Sequence, residues 1–277
     1  MAISVNNPSN AALIALQDLA NTQNQLNQTQ NIVSSGVSVA DAKDNPAIWS
    51  IAQNQQAQVT GLDAVIQSLN RATSVSDVAV AAGQTVITLL NQLKQDALTA
   101  SEPSLDAASR QASNSDFQST LAQITSTIKN ASFDGSNLLD GSATSNLGVL
   151  ASADGSAFLT LNSTDLSLGG AVLTVAPTAS LGTPTLASSV LSDVNNALAN
   201  VTTAIANLGV QAQQISTHNS FIGQLSDSLQ SGVGDLVNAN MGAESAKLQA
   251  LQVQQQLGAQ SLSIANQAPT VILSLFR

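Results

Sequence analysis

The chain has one histidine, His218 in Ser216-Thr217-His218-Asn219, and no cysteine. A single imidazole with no placed base or nucleophile does not assemble a triad, and structural or catalytic zinc takes several His or Cys ligands. Without Cys there is no thiol nucleophile, thiolate metal site or disulfide framework. His218 is therefore expected to be structural, on a polar helix face. Asp41 and Asp44 flank Lys43 just before a helix start, where two carboxylates could hold a cation or trade a proton. Acids at a helix N-terminus also complement the macrodipole, by about 0.3 to 1 kcal/mol, and capping is the reading adopted. Gly169-Gly170, Gly232 and Gly234 lack the spacing of a phosphate cradle leading into Lys; they read as turns and a hinge. Trp49, at helical spacing from Ile51 and Ala52, reads as a packing anchor. Asn27, Asn130, Asn162 and Asn200 open Asn-x-Ser/Thr sequons, a pattern that chance supplies in a chain so rich in these residues. No catalytic, cofactor-binding or metal site is expected, and an enzyme is the weakest reading.

The elements that carry these residues are more informative. Residues 1–40 contain one ionised side chain, Asp18, and none occurs from Leu248 through Phe276. A solvated helix keeps Lys and Glu on its wet face, so charge-free helices rich in Gln, Asn, Ser and Thr are expected to meet protein on several sides. Apolar residues recur every seven positions at Ala12, Leu19, Leu26, Val33 and Ala40, with companions Leu16, Gln23, Gln30 and Val37. This is a heptad seam whose glutamines weaken pairing and help to fix register. In the last helix Leu248, Leu251, Leu262 and Ala265 form one apolar row, and Ala250, Leu257, Ile264 and Val271 a second. Two rows imply two neighbours, which makes this helix the candidate for the innermost layer of an assembly.

Between the ends, Asn45-Pro46 reads as an N-cap followed by Pro at the first helical position, opening a helix to about Thr99. Glu102-Pro103-Ser104 breaks it, and a third helix capped by Ser104 is expected to carry Phe117, Leu121, Ile124 and Ile128 as far as Asn130. From Ser132 the turn dipeptides Asp134-Gly135, Asp140-Gly141, Asp154-Gly155 and Gly169-Gly170 alternate with Phe158–Leu161 and Val172–Val175, whose period of two predicts β-hairpins. Helical spacing resumes near Thr185 and runs past Phe221 and Leu225 to Leu229, after which Gly232 and Gly234 are expected to loosen the chain.

Composition bounds the class. Hydrophobic residues are 43% of the 277, aromatic 2% and charged 9%, with a net charge of −10. Seven scattered Lys and Arg without aromatic platforms disfavour nucleic acid. The C-terminal uncharged stretch is long enough to span a bilayer, but its glutamines make insertion costly, so no membrane partner is expected. Met1 to Asn10 has no basic n-region or apolar h-region, so a Sec signal is not expected and export would need another route.

The run Ile32-Val33-Ser34-Ser35-Gly36-Val37, leading into Ala42-Lys43-Asp44-Asn45-Pro46-Ala47, resembles the N-terminal signature of bacterial flagellins. Asn240-Met241 to Leu257, Ala265-Asn266-Gln267-Ala268-Pro269 and Val271-Ile272-Leu273-Ser274-Leu275-Phe276-Arg277 are similar to the flagellin C-terminus. The likeness spans residues 1–140 and 186–277. It implies a mainly α fold: a long antiparallel helical coiled-coil bundle with terminal helices and a small β-hairpin region in the middle. The expected divisions are an N-terminal inner-core helix and linker (1–44), the N-terminal half of the shell helices (45–131), a hairpin- and turn-rich outer region (132–184), a C-terminal shell helix (185–234) and a C-terminal inner-core helix (235–277). Large variable outer domains are expected to be absent.

The function implied is a structural subunit that polymerises into the flagellar filament for swimming, alone or mixed with other flagellins, with no cofactor. Leu16, Leu19, Leu26, Val33, Leu248, Leu251, Leu257, Leu262, Ile264 and Val271 are the expected self-assembly residues. The resemblance also implies an extracellular location, with partners in the flagellar type III export apparatus, a flagellin chaperone, the filament cap and hook-associated proteins. The alternatives are a hook–filament junction protein, or a secreted type III helical binding or effector protein. One departure stands out: where many flagellins carry an Arg and a Leu read by an animal innate-immune receptor, the matching positions here are Gln92 and Asp96, so weak recognition is expected.

Overall fold

The computed structural model describes residues 7–142 and 146–274, with side chains described for 12–142 and 146–264. In order the elements are α1 (Asn7–Ser35), α2 (Pro46–Ala100), α3 (Ala107–Asn130), β1 (Ser132–Phe133), β2 (Ser136–Asn137), β3 (Leu147–Leu150), β4 (Phe158–Leu161), α4 (Pro184–Val237) and α5 (Met241–Ser274). They form two compact units: Met1–Gln56 with Leu229–Arg277, and Ala57–Ser228. Helices α2 and α4 contribute to both. The fold is the expected one, long helices interrupted by two small antiparallel hairpins.

The helix starts share one local grammar. The side chains of Asn45, Asp106, Thr183 and Asn240 accept hydrogen bonds from the backbone N–H three residues on, at 3.2, 2.9, 3.2 and 3.2 Å. Each satisfies one of the donors that a helix leaves free. Pro46 and Pro184 occupy the first helical position, where a missing N–H costs nothing. The third helix thus starts at Asp106, not at the expected Ser104, whose hydroxyl donates to Glu102 Oε1 at 3.0 Å instead. Nor do Asp41 and Asp44 cap α2. Asp44 Oδ2 accepts from the amides of Ala40 and Asp41, and Asp41 Oδ1 from that of Lys43, so the pair folds the connecting loop while Asn45 does the capping.

In the second unit, α2 and α3 run antiparallel, as do α2 and α4. Buried positions on α2 recur every three or four residues, from Leu62, Val65, Leu69 and Ala72 to Leu90, Leu93, Ala97 and Ala100. Phe117, Leu121, Ile124 and Ile128 of α3 and a row of α4 from Ala187 to Leu208 are buried in the same unit. At Gly83 a Cβ would run into the Ile205 side chain, so a larger residue there would have to displace Ile205 where α2 and α4 approach closely. Among the described residues α2 is the helix long and apolar enough to span a bilayer, not the C-terminal stretch considered from sequence. Its apolar face is the one just described, turned into the core.

The chain between α3 and α4 covers a small core of its own. In Phe133-Asp134-Gly135-Ser136, φ is 48° at Asp134 and 76° at Gly135, the doubly left-handed turn that suits a tight hairpin. The β3–β4 hairpin pairs Leu147 with Leu161 and Leu150 with Phe158. Val172–Val175, expected as a strand, is a turn structure: the carbonyls of Leu173 and Val175 both accept from the Gly169 amide, 3.0 and 2.8 Å away. The alternation nevertheless reported burial correctly, since Leu173 and Val175 are enclosed with Leu166 and Leu181. Helix α4 continues through Gly232 and Gly234 to Val237, so the glycines expected to loosen the chain there lie within the helix. Trp49 is only half-buried and Phe221 is exposed, so of the aromatic anchors expected in the shell Phe117 alone is enclosed.

Two ionisable groups are placed unusually. Arg110 is buried, and its guanidinium donates to the carbonyls of Ala100, Glu102 and Leu105, the last at 2.8 Å. It thereby satisfies carbonyls that the end of α2 leaves open and sits at the negative pole of that helix. Asp96 has one carboxylate oxygen enclosed with no hydrogen-bond partner, and burial, then the charge of Asp116, holds its carboxyl above the usual carboxylate range. Asp154 is the opposite case. Hydrogen bonds from Ser152 Oγ, Ser156 Oγ and the Ser156 amide pull it down to about 2.

Replacing Arg110 with Met should lower the free energy of urea unfolding by about 2 to 3 kcal/mol, because enclosed carbonyls lose their donors. Arg110→Lys should recover only part, having no fork to reach several carbonyls. For Asp96 the sign is fixed by its raised native pKa. The native state binds more protons than the unfolded chain between the ordinary aspartate value and the raised one, so stability falls as pH rises through that window. Asp96→Asn should therefore raise the melting temperature at pH 7 by about 2 °C, and the gain should vanish in melts at a pH below the ordinary aspartate value.

Candidate self-assembly surface

Helices α1 and α5 of the first unit lie side by side and antiparallel. Gln255 Nε2 donates to Gln23 Oε1 across the pair, and Leu19 Cδ1 lies 3.3 Å from where a Cβ on Gly258 would stand. The glutamine of the heptad row thus sets register by a hydrogen bond, as its position implied. The small Gly258 lets the helices approach.

The seam uses Leu19, Leu26 and Val33 of α1, with Leu26 fully buried and the other two half-buried. Their companions are Ala15, Thr22 and Thr29, not Leu16, Gln23 and Gln30; Thr22 and Thr29 are buried. Thr22 Oγ1 donates to the Asp18 carbonyl at 2.8 Å, which lets its methyl enter the seam without leaving a hydroxyl unpaired. Sequence reasoning missed these threonines because it counted only hydrocarbon side chains; Thr at strict seven-residue spacing was the available signal. On α5, Leu251 is buried and Leu248 and Leu262 half-buried, so the first of its two rows meets α1.

The described side chains of the second α5 row are largely open to solvent. Leu257 is 61% and Ile264 64% exposed, and on α1 Leu16 is 55% exposed, beside exposed Leu13 and Ile14. Val271 belongs to α5, but its side chain and that of Ala265 lie outside the described ones, as does the closing segment 275–277. A groove flanks the seam on each side: one of about 510 Å³ including Ile14, Leu19 and Leu257, and one of about 490 Å³ including Leu16, Ala20 and Ala259. Apart from Asp18 in the first, their linings carry no charge.

The far end of this unit is locked by backbone bonds. Gly36, at φ 74°, ends α1 in the left-handed conformation and donates to the Ile32 carbonyl at 2.8 Å. Beyond it, Ser38 N–H donates to Val237 O at 2.7 Å and Ala239 N–H to Gly36 O at 2.9 Å, around a Val37–Asn238 β-bridge. The loop that follows α1, part of the N-terminal signature, is therefore paired with the short link between α4 and α5. His218 is elsewhere, in the second unit, its Nε2 2.9 Å from the Ala151 carbonyl. No group of three or more His, Asp or Glu able to hold a metal ion occurs among the described residues. What this surface offers is association through apolar rows and amides.

Residues 5–144 match the bacterial flagellin N-terminal helical region, and residues 191–276 the bacterial flagellin C-terminal helical region. Over 277 residues and the full length of both chains the protein is 47% identical to flagellin FljM of Caulobacter vibrioides. It is 38% identical to a flagellin of Brucella melitensis, with 97% of this chain and 98% of that one aligned. A solved flagellar hook-associated protein from Vibrio parahaemolyticus shares the fold at a TM-score of 0.57 and 14% identity, over 70% of this chain and 100% of its own. The first matched region spans α1 to the β1–β2 hairpin and the second most of α4 and α5, so the helices that build both units are covered, and the chain belongs to the bacterial flagellin family.

Proposed function

We propose that this chain, a structural subunit of the bacterial flagellar filament, polymerises by burying the unpaired rows of α1 and α5 against sister copies. The observation that carries the reading is the double-sided α5: one row against α1, the other, through Leu257 and Ile264, open to solvent on a helix with no charged side chain after Lys247. Fully burying one such side chain is worth about 2 kcal/mol. With only Leu26 and Leu251 fully enclosed among the apolar side chains described on α1 and α5, the seam of a lone subunit lies at the low-stability end of the molecule. Assembly supplies the missing burial, so folding of the ends and polymerisation are coupled.

The family reading extends to the rest of the subunit's route. Export passes through the flagellar type III apparatus without a Sec signal, with a chaperone holding the C-terminal segment, and addition occurs beneath a filament cap on hook-associated proteins. The filament is extracellular and accepts other flagellins as neighbours. Weak innate-immune recognition rests on Gln92 and Asp96 standing where many flagellins carry Arg and Leu.

Leu257→Glu, and separately Leu16→Glu, should raise the monomer concentration left in equilibrium with seeded filaments by at least about tenfold, with melting of the second unit unchanged. Growth of either variant at the parent concentration would remove the terminal rows from the interface. Limited proteolysis of monomer should remove about 40 residues from each end and spare both in filaments; ends that resist protease equally in both states would break the coupling of folding to assembly.

A further inference from the structure

Asp134-Gly135-Ser136, Asp140-Gly141-Ser142 and Asp154-Gly155-Ser156 are the same tripeptide three times within one short region. In such a sequence the glycine amide nitrogen can attack Cγ of the aspartic acid before it. The new N–Cγ bond closes a five-membered succinimide, and the carboxyl hydroxyl leaves with the amide proton as water. Water then reopens the ring. Entry at Cγ restores aspartate, whereas entry at the main-chain carbonyl carbon leaves the chain running through Cγ as isoaspartate. The sum is an isomerisation, one water lost and one regained. Local sequence makes the three sites equally reactive, so the fold decides among them.

At two of them the fold restrains the reacting groups. Asp154 Oδ1 accepts from Ser152 Oγ, Ser156 Oγ and the Ser156 amide, and the Gly155 amide donates to the Ser152 carbonyl at 3.2 Å. Those bonds keep the Asp154 carboxylate ionised well into acid, and an ionised oxygen cannot leave as water. Asp140 Oδ1 accepts from the amide and the hydroxyl of Ser142. The Asp165 carboxylate packs against Gly141, where a Cβ would stand 2.8 Å from its Cγ, and a negative charge there opposes deprotonation of the Gly141 amide. Asp134 has neither restraint. Ser136 is committed to β2 opposite Phe133, the carboxylate has a loose contact with Arg71, 3.7 Å away between exposed side chains, and the Gly135 amide is bonded to no described residue. Asp134 is also the one described non-glycine residue with positive φ, in a turn closed by two residue pairs. Opening that turn relieves the left-handed conformation and frees the rotation that ring closure needs.

We infer that Asp134-Gly135 is a self-modification site, at which the folded chain forms isoaspartate through a succinimide while Asp140 and Asp154 are protected. This chemistry needs no filament and proceeds in the free subunit. The product carries one extra main-chain carbon inside a two-residue turn, which breaks the Phe133–Ser136 pairing. Next in the chain are Asn137, whose Nδ2 donates to the Ile128 carbonyl at 2.7 Å, and the enclosed Leu138 and Leu139. Isoaspartate at 134 therefore marks an aged subunit with a defect at the end of α3.

The test holds full-length chain for several weeks in mildly acid buffer, folded or in denaturing urea. It is then mapped with an endoprotease that cuts before aspartate but not before isoaspartate. In folded chain, isoaspartate at 134 should exceed that at 140 and at 154 by at least about fivefold, and in urea the three should converge. Ser152→Ala combined with Ser156→Ala should raise isoaspartate at 154 in folded chain by at least about threefold and leave 134 unchanged. Equal isoaspartate at 140 or 154 in the folded chain overturns the inference. So does a bias toward 134 that persists in urea, which would belong to the sequence, or a folded chain that protects 134 as well as the others.

Discussion

A helix with almost no charges has no side that prefers water strongly, and most of this structure follows from having such helices, α1 and α5, at both ends of the chain. On α5 the seven-residue repeat supplies two apolar rows, but an antiparallel partner of similar length covers only one. The other row stays open however well the monomer folds. The small seam residues Ala15, Thr22 and Gly258 bring the two helices close, yet they bury little hydrocarbon. Closeness without much burial gives a pair with defined register and small stability.

The second unit solves the opposite problem. Its helices have fully enclosed rows, Phe117 at the centre of α3, and a turn region whose leucines pack inside a mesh of backbone bonds such as Leu166 N–H to Leu139 O at 2.8 Å. Arg110 shows how far the unit goes to close itself: a charged side chain is buried to serve the carbonyls at the α2–α3 turn. The α1–α5 pair, by contrast, is joined at its base by the Val37–Asn238 bridge and is open along its length.

Much of this was legible from the residues, and the misses have physical reasons. Asn45-Pro46 marked a helix start because an amide cap and a preset φ act within one turn, and the start lies there. Ser104 failed against Asp106 because a hydroxyl and a carboxylate compete for the same free amides and the charged acceptor is stronger. Val172–Val175 kept its alternating burial but not its ladder, since a strand needs a partner edge and Gly169, at φ 76°, turned the chain back onto those carbonyls first. Gly232 and Gly234 did not break α4, because a penalty of about 1 kcal/mol per glycine is small against a helix already nucleated over dozens of residues. The outer rows of α1 and α5 were readable as apolar, but which row the chain pairs internally depended on Thr22 and Thr29, whose hydroxyls disguise them.

Weak seams and open rows together dictate where such a subunit can add to a polymer. A single contact through one row, a few leucines at about 2 kcal/mol each, is largely offset by the loss of overall motion and by ordering the helix. In solution two copies therefore gain little from each other, and the net charge of −10 opposes them further. At a filament end several neighbours are already fixed, so the second and third contacts form without a further loss of translational freedom. On the proposed assembly, the α5 row and the two grooves beside the seam fill in one event. Surfaces of this kind, amide-rich, neutral and only modestly apolar, separate the two situations better than strongly hydrophobic ones, which would aggregate in dilute solution. The shortage of charge and the shortage of aromatic residues are two sides of one requirement: contacts must be individually too weak to pair free subunits and collectively strong enough to hold placed ones.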